Sequence, residues 1–216
     1  DIDLFEDGDV LVTDMTDLEC YINTLAFLHF CQDRYPGVAT LYVGGDFRNS
    51  TPRIVAAVAQ AGMDANFDVK YLGILPTPSL ALSAFLDGAV SIMVTGSHIP
   101  EDRNGIKYYK PDQELLKQDE DDVLASVRRV RESVYASEDS RFSEAGMLIA
   151  APKILVAKDV DVKRYERRFD LLTSGSPLKG LKIGVYEHSS VGRDLLCEVL
   201  ESAGAEVLRY GRSKDF

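Results

Sequence analysis

Apolar residues recur at helical spacing near the start of the chain and then give way to short apolar runs closed by turns. Tyr21, Leu25, Leu28 and Cys31 lie three or four residues apart, which predicts a helix from residue 17 to about 34 with Thr16 or Asp17 as its cap. Further strands are predicted at 39–43, 69–72 and 90–94, and further helices at 51–63, 79–86 and 119–132. Strands that alternate with helices indicate an α/β fold, with a mostly parallel sheet and helices on both faces.

A second series of elements follows a loosely patterned polar stretch at 133–151. The pattern predicts helices at 162–172 and 191–203 and strands at 181–186 and 206–208. One strand–helix–strand unit cannot cover both faces of its own sheet. We therefore predict a first domain at 1–150 and an incomplete second α/β domain at 151–216.

Composition and charge narrow the class of protein. The chain has 216 residues, of which 45% are hydrophobic and 27% charged, and it contains no apolar run near the roughly 20 residues that span a bilayer. These values predict a soluble protein with no membrane partner. The net charge of −11 opposes binding to nucleic acid. The first residues lack a secretion signal, so a cytoplasmic location is expected.

Cysteines and clustered acids are the first candidates for a metal site, and both have simpler interpretations. Cys20, Cys31 and Cys197 are odd in number and widely spaced, without a CxxC pair, so we interpret them as reduced thiols in the core. The acidic run at 119–122 is interpreted as the solvated first turn of a helix, because adjacent helical residues point in different directions.

The segment at 95–107 concentrates the chemistry, since a hydroxyl, an imidazole, a guanidinium, an amide and an ammonium follow a buried strand. Gly96 allows backbone N–H groups to approach an anion, and Ser97 is a candidate phosphate carrier. Arg103 and Lys107 can offset phosphate charge, and His98 can move the proton of a sugar hydroxyl.

The Asn104-Gly105 pair predicts a turn that folds Lys107 back toward Ser97. From the residues alone, a polar surface loop that ends in a hairpin turn explains this segment equally well.

The string TGSHIPEDRNGIKYY at 95–109 resembles the active-site loop of the α-D-phosphohexomutases, T-[AG]-S-H-x-P followed by N-G-x-K. Its variant is most similar to the phosphomannomutase branch. Further stretches that resemble this family are LVTDMT at 11–16, GDFRNS at 45–50, LPTP at 75–78, GLKIGV at 180–185 and GAEV at 204–207.

This resemblance implies an isomerase of carbohydrate metabolism that moves phosphate between the 1- and 6-positions of a hexose phosphate, with mannose phosphate as the expected substrate. It implies that Ser97 is the phosphoserine, whose phosphate also supplies an oxygen to Mg²⁺, and that His98 and Lys107 are catalytic. Arg103 and Asn104 are expected to bind the substrate phosphate. The other partner would be the hexose 1,6-bisphosphate intermediate. Asp46 and Arg48 are expected to pair and to brace loops.

The sequence departs from the family in two places. No D-G-D-x-D-R metal loop and no later sugar-selecting or phosphate-clamping loops are found, so we expect an inactive fragment that holds Mg²⁺ weakly. The family's F-G-T-S-G-x-R-G is replaced by residues 7–10, DGDV. We expect that about ten residues of a mobile Gly-rich loop are missing between Val10 and Leu11.

Three functions stay open on this basis. The chain belongs to a mutase, to a phosphosugar-binding or regulatory relative that lacks turnover, or to a different serine-phosphorylated enzyme on the same fold. The preferred hexose and the oligomeric state are not determined by the sequence.

Overall fold

A computed structural model describes residues 6–7, 10–11, 15–137 and 140–215. The strands are β1 (Glu6–Asp7), β2 (Val10–Leu11), β3 (Thr40–Gly45), β4 (Asp68–Ile74), β5 (Val90–Val94), β6 (Ile106–Tyr109), β7 (Lys182–His188) and β8 (Glu206–Ser213). The helices are α1 (Asp17–Arg34), α2 (Thr51–Asp64), α3 (Thr77–Asp87), α4 (Glu120–Tyr135), α5 (Arg164–Arg167), α6 (Asp170–Thr173) and α7 (Arg193–Ser202), and a 3₁₀ turn (Lys117–Asp119) precedes α4.

The main sheet has four strands in the order β4-β3-β5-β6. Strand β3 is parallel to both of its neighbours, whereas β6 runs antiparallel to β5. The predicted α/β class with a mostly parallel sheet is therefore confirmed. The apolar pattern did not predict β6, because the exposed Lys107 interrupts a strand of only four residues in which Tyr109 alone is buried.

Helices cover both faces of this sheet, as predicted. Leu41 and Val43 pack into a core formed with α1 and α2, whereas Tyr42, between them in β3, packs with Leu80 of α3. Successive residues of a strand point to opposite faces, so a strand buried on both sides reads as one apolar run. Helix α4 packs outside α1.

Helix α1 begins where the sequence predicts, because Thr16 caps it. The Thr16 Oγ1 atom accepts a hydrogen bond from the Glu19 N–H at 3.2 Å, an arrangement that contributes about 1 kcal/mol. Asp17 then connects α1 to the chain beyond α4, since its carboxylate accepts from the Leu148 N–H at 2.9 Å.

The second sheet contains β7 and β8, which are parallel and joined by α7. The single helix predicted at 162–172 is wrong, since α5 and α6 are separate helices of four residues each. Leu171 and Leu172 of α6 are 91% and 70% exposed. A longer helix gains most of its stability from a buried apolar face, and this segment lacks one.

The segment that follows residue 150 packs on the four-stranded sheet before it reaches β7. The Ala157 N–H donates to the Tyr71 carbonyl of β4 at 2.7 Å, and Ser79 Oγ donates to the Val162 carbonyl at 3.1 Å. Val160 is buried in the core beneath α3. The domain boundary at residue 150 stays a prediction, and the structure shows that contacts with the first sheet extend past it.

Val10 and Leu11 are consecutive residues of β2, which pairs antiparallel with β1. The expectation of a further segment between these two residues is therefore not met in this chain. Gly8, Asp9 and residues 12–14 of the LVTDMT motif lie outside the described residues.

The three cysteines are free and buried, as predicted. Burial raises the pKa of Cys20 to about 12 and raises the pKa of Cys31 and of Cys197 as well. Thiols of this kind are chemically inert, because the thiolate is the reactive form.

The acidic run before α4 is only partly the solvated turn that we expected. Residues 120–122 are exposed, but Asp119 is buried and its carboxylate accepts from Lys110 Nζ at 2.6 Å. Periodicity cannot reveal such a pair, because the lysine lies in the connection after β6.

Membrane-spanning helices are absent from the part of the chain that the structure describes, since none of its helices combines the necessary length with an apolar composition.

Candidate functional site

The chain changes direction across the sheet between β3 and β5. The connection through α2 places β4 on one side of β3, and the connection through α3 returns to place β5 on the other side. Because β3 and β5 are neighbouring parallel strands, the loops that follow them leave side by side at the carboxyl ends of these strands. Such switch points form the usual ligand crevice of parallel α/β sheets.

The loop at 95–105 leaves β5 at this edge and is closed at its base. The Thr95 N–H donates to the Gly105 carbonyl at 2.9 Å, and the Ile99 N–H donates to the Gly96 carbonyl at 3.2 Å. Ser97 is exposed and its N–H donates to Thr95 Oγ1 at 3.1 Å. Its φ of +54° lies in the left-handed region, which costs a residue with a side chain about 1–2 kcal/mol.

Asp46, in the loop after β3, is a buried acceptor at the centre of the site. Its Oδ1 accepts from the Arg48 N–H at 3.0 Å and from Thr51 Oγ1 at 2.6 Å. Its Oδ2 accepts from Thr95 Oγ1 at 2.8 Å and from the Gly96 N–H at 3.3 Å. One carboxylate therefore joins the start of α2 to the first two residues of the loop at 95–105.

Arg48 extends this connection across the loop. Its side chain is only 1% exposed, and Nε donates to Asp46 Oδ2 at 3.2 Å. The guanidinium also donates to four carbonyl oxygens of the loop, those of Pro100 at 2.7 Å, Ile99 at 2.8 Å, Arg103 at 3.1 Å and Ser97 at 3.4 Å. The prediction that Asp46 and Arg48 pair and brace loops is therefore confirmed.

Gly96 has a different role from the one that its sequence context indicated. Its N–H donates to Asp46 rather than facing open solvent. A Cβ atom at this position would lie 2.5 Å from Arg48 Nε and 2.6 Å from Arg48 Cζ. Glycine is required here because the guanidinium packs directly against the backbone.

Asn104 connects the end of the loop to α2. Its Nδ2 donates to Ser50 Oγ at 2.9 Å and to Thr51 Oγ1 at 3.1 Å, while its Oδ1 accepts from the Gly105 N–H at 2.8 Å. Both amide hydrogens thus have partners within the fold. The structure therefore places Asn104 as a residue that shapes the loop.

The other predicted site residues lie on the exposed side of the loop and on the strand that follows. His98 and Arg103 are exposed within the loop. Lys107 is exposed on β6, where it lies opposite Met93 of β5. The predicted turn at Asn104-Gly105 is wrong, since the chain turns at 97–98 and 101–102 and neither Asn104 nor Gly105 has a positive φ. The loop as a whole still returns the chain antiparallel to β5 and brings Lys107 onto the strand next to the one that precedes Ser97.

A shallow depression of about 470 Å³ beside the loop is lined by Asn49, Ser50, Glu101 and Asp102. Two carboxylates on its wall repel a phosphate group. An anionic substrate is therefore not expected to occupy this depression.

Phe47 makes a contact that sequence reasoning missed. Phe47 follows Asp46 and precedes Arg48 in the sequence. The Arg193 guanidinium of α7 lies 4.8 Å from the centroid of its ring. The Lys214 ammonium lies 5.9 Å from the same centroid. An aromatic residue within a polar loop was the available signal, but no local pattern identifies a partner nearly 150 residues away.

The donors of the site do not supply the ligands that a Mg²⁺ ion needs. Within the described ranges, no group of three or more histidine, cysteine, aspartate or glutamate residues could hold a metal ion. The phosphate expected on Ser97 would supply one oxygen, and Mg²⁺ prefers about six oxygen ligands in octahedral geometry. The residues described here therefore do not assemble a Mg²⁺ site.

Comparison with known proteins places this geometry in a family. The family model for phosphoglucomutase/phosphomannomutase, alpha/beta/alpha domain I, matches residues 8–133. A phosphomannomutase from Sinorhizobium fredii (strain NBRC 101917 / NGR234) is 44% identical over 213 residues, which cover 95% of this chain and 42% of the relative. A phosphomannomutase from Salmonella muenchen is 36% identical over 208 residues, which cover 95% of this chain and 39% of the relative.

A solved structure of a phosphoglucomutase/phosphomannomutase family protein from Burkholderia thailandensis shares the fold, with a TM-score of 0.66 at 20% identity. It matches over 95% of this chain and 42% of its own length. The chain therefore spans about two fifths of the length of the relatives that it matches. Since the family model covers more than half of the residues, the chain belongs to the phosphoglucomutase/phosphomannomutase family.

Proposed function

We propose that this chain carries the phosphate-accepting serine of a phosphosugar mutase, an enzyme that moves phosphate between the 1- and 6-positions of a hexose phosphate. The observation that carries this proposal is the state of Ser97, an exposed residue with a left-handed backbone on a braced loop. Such conformations persist only where the surrounding structure imposes them, and they cluster at functional sites. Membership of the phosphoglucomutase/phosphomannomutase family supports the same conclusion.

The reaction begins with a phosphate on Ser97 Oγ. An oxygen of the hexose phosphate attacks this phosphorus, the bond between phosphorus and Ser97 Oγ breaks, and a hexose 1,6-bisphosphate forms. The sugar hydroxyl loses its proton and Ser97 Oγ gains one, so protons balance over the step. After the bisphosphate turns over, Ser97 Oγ loses its proton and attacks the phosphorus at the other end. The bond between that phosphorus and the sugar oxygen breaks, the sugar oxygen gains a proton, and the phosphoserine is restored.

Three side chains of the loop and of β6 have the chemistry that these steps need. His98 follows Ser97 directly and can accept the proton of the sugar hydroxyl and later return it. Arg103 and Lys107 are exposed cations that can offset the charge of about −1.5 to −2 on a phosphoserine. We assign Asn104 to shaping the loop, through its bonds to Ser50 and Thr51.

Mannose phosphates are the proposed substrates. Two phosphomannomutases are similar to the chain over 95% of its length, at 44% and 36% identity. A phosphoglucosamine mutase from Symbiobacterium thermophilum is similar at 29% identity over 85% of the chain, so glucosamine phosphate belongs in the test.

The test uses the full-length protein that contains this chain. We expect incubation with a hexose 1,6-bisphosphate to add one phosphate to Ser97, detected by peptide mass spectrometry. Turnover is then compared for mannose 1-phosphate, glucose 1-phosphate and glucosamine 1-phosphate. Ser97→Ala is expected to abolish both labelling and turnover.

Ser176→Ala is a matched control, because Ser176 is also exposed and left-handed, with a φ of +56°, but lies far along the chain from the loop. It should leave labelling and turnover unchanged. Phosphate on a different serine, or full activity of Ser97→Ala, would contradict the proposal. Binding of a hexose phosphate without labelling or turnover would instead identify a phosphosugar-binding relative.

A further inference from the structure

The Arg48 guanidinium is bonded to the backbone on both sides of the exposed loop tip. It donates to the Ser97 and Ile99 carbonyls through Nη2 and to the Pro100 and Arg103 carbonyls through Nη1. These acceptors span seven consecutive residues, yet they converge on one planar cation. A buried cation is tolerated only where such partners surround it.

The same side chain also fixes the residue before Ser97. Arg48 Nε donates to Asp46 Oδ2, and this carboxylate oxygen also accepts from the Gly96 N–H and from Thr95 Oγ1. The guanidinium packs so closely on Gly96 that there is no room for a Cβ atom. The backbone is therefore held from both directions at the point where it enters the left-handed conformation of Ser97.

Among the described residues, Ser97 forms its hydrogen bonds through backbone atoms: its N–H donates to Thr95 Oγ1 and its carbonyl accepts from Arg48 Nη2. Its side chain lies at an exposed position. The site thus combines a fixed backbone with an accessible hydroxyl. Transfer of a phosphoryl group requires reacting atoms in a defined position, and a displacement of about 1 Å can slow a reaction about 100-fold.

We infer that Arg48 is a positioning residue for phosphoryl transfer, which holds Ser97 Oγ in place through the loop backbone without contacting the substrate. This inference rests on the proposed function of Ser97. Arginine is specific for the role, because a planar fork of donors reaches several carbonyls at once whereas the ammonium of lysine is a single point charge.

The test compares Arg48→Lys with Arg131→Lys in the full-length protein. Arg131 is also buried and pairs with Glu19 at 2.5 Å, between α4 and α1, so its variant controls for the general effect of replacing a buried arginine. In Arg48→Lys we expect kcat to fall about 100-fold with KM changed less than about threefold. Arg131→Lys should lose stability with little change in kcat per folded molecule.

Amide hydrogen exchange gives a readout that does not depend on catalysis. The Ile99 and Arg103 N–H groups are bonded within the loop, to Gly96 and Pro100 respectively. Arg48→Lys should accelerate their exchange at least about tenfold, while amides of β7 and β8 stay unchanged. Unaltered loop exchange, or a kcat within about twofold of that of Arg131→Lys, would overturn the inference.

If Arg48→Lys does not fold, Gly96→Ala takes its place, because the added Cβ atom displaces the guanidinium without removing it. Gly96→Ala must then show the same loss of kcat and the same faster exchange of the loop amides. A wild-type protein in which Ser97 is never phosphorylated would refute the proposed function. In that case the exchange experiment would still decide whether Arg48 holds the loop, so the two failures are distinguishable.

Discussion

Ser97 shows how a single residue can be held in an unfavourable conformation at the position where chemistry is proposed. Its left-handed backbone (φ +54°) costs about 1–2 kcal/mol relative to the ordinary regions. Asp46 and Arg48 supply the opposing interactions. The residue with the accessible hydroxyl therefore reduces stability locally, while its buried neighbours restore it.

This strain predicts a reversal of the usual preference for alanine over glycine. We expect Ser97→Gly to exceed Ser97→Ala in free energy of unfolding by about 1 kcal/mol, because glycine adopts a positive φ without penalty. At Ser133, which is exposed within α4, alanine should be the more stable by about 1 kcal/mol. Urea denaturation of the four variants measures both differences, and the same order at both positions would contradict the prediction.

Lys107 is expected to act through its charge near the proposed phosphate. Lys107→Ala should lower kcat/KM of the full-length protein by about 100-fold, because a cation that offsets transferring charge stabilises the transition state. Lys117→Ala is the matched control, since Lys117 is exposed in the 3₁₀ turn before α4. Steady-state kinetics decide the matter, and comparable losses in the two variants would rule out a specific role for Lys107.

At the scale of elements, a buried ion pair joins the end of β6 to the start of α4. Lys110 and Asp119 are 4% and 3% exposed and lie 2.6 Å apart. Burial by itself would raise the pKa of Asp119, but the hydrogen bonds from Lys110 and from the Leu116 N–H outweigh it and lower the pKa. This pair holds the antiparallel edge of the sheet to the helix that packs on α1.

The lowered pKa of Asp119 predicts a dependence of stability on pH. A carboxylate whose pKa is lower in the folded state than in the unfolded state stabilises the protein at pH values above the unfolded-state pKa, which is about 3.9 for aspartate. This stabilisation is lost as the pH falls through the folded-state pKa. Asp119→Asn should therefore reduce the free energy of unfolding by about 3–5 kcal/mol at pH 7. The difference from wild type should shrink below about pH 4.

Asp122→Asn provides the control for this experiment, because Asp122 pairs with Arg34 at the surface, with side chains 58% and 52% exposed. Its effect should stay below about 1 kcal/mol. Urea unfolding at several pH values measures both variants. If the difference in free energy of unfolding between wild type and Asp119→Asn stayed constant down to pH 3, the carboxylate of Asp119 would not titrate as described.

At the scale of the whole molecule, the loop that follows β3 connects the four-stranded sheet with the sheet of β7 and β8. Phe47 packs against Arg193, which is itself 4% exposed and donates to the Glu187 carbonyl of β7 at 3.1 Å and to the Ser213 carbonyl of β8. Since Arg48 is the next residue, one short loop contacts both the second sheet and the loop that contains Ser97.

We expect Phe47→Ala to loosen the contact between the sheets. Loss of the ring removes a cation–π interaction of about 0.5–2 kcal/mol and exposes Arg193, so trypsin should cleave after Arg193 faster than in wild type. Phe85→Ala is the control, because Phe85 lies exposed on α3 and contacts Tyr109 of β6, with ring centroids 6.2 Å apart. Equal cleavage rates in both variants would show that Phe47 does not protect this contact.

The sequence by itself determined the elements whose signals are local. The helix at 17–34 and the strand at 90–94 have the predicted bounds, because period and caps are properties of neighbouring residues. Burial on both faces likewise leaves a continuous apolar run that identifies a parallel strand. The motif at 95–107 also indicated the family, and the family model confirmed it.

Only the tertiary structure decided which distant residues become partners. Arg48 bonds carbonyls about 50 positions further along the chain, Asp119 pairs with Lys110 instead of facing solvent, and Phe47 reaches Arg193. Local patterns record whether a side chain is buried but not what lies against it, since this depends on how the crossovers order the strands. The strand order β4-β3-β5-β6 brings the loops after β3 and β5 together, and that proximity is what makes Gly96 obligatory and holds Ser97 in place.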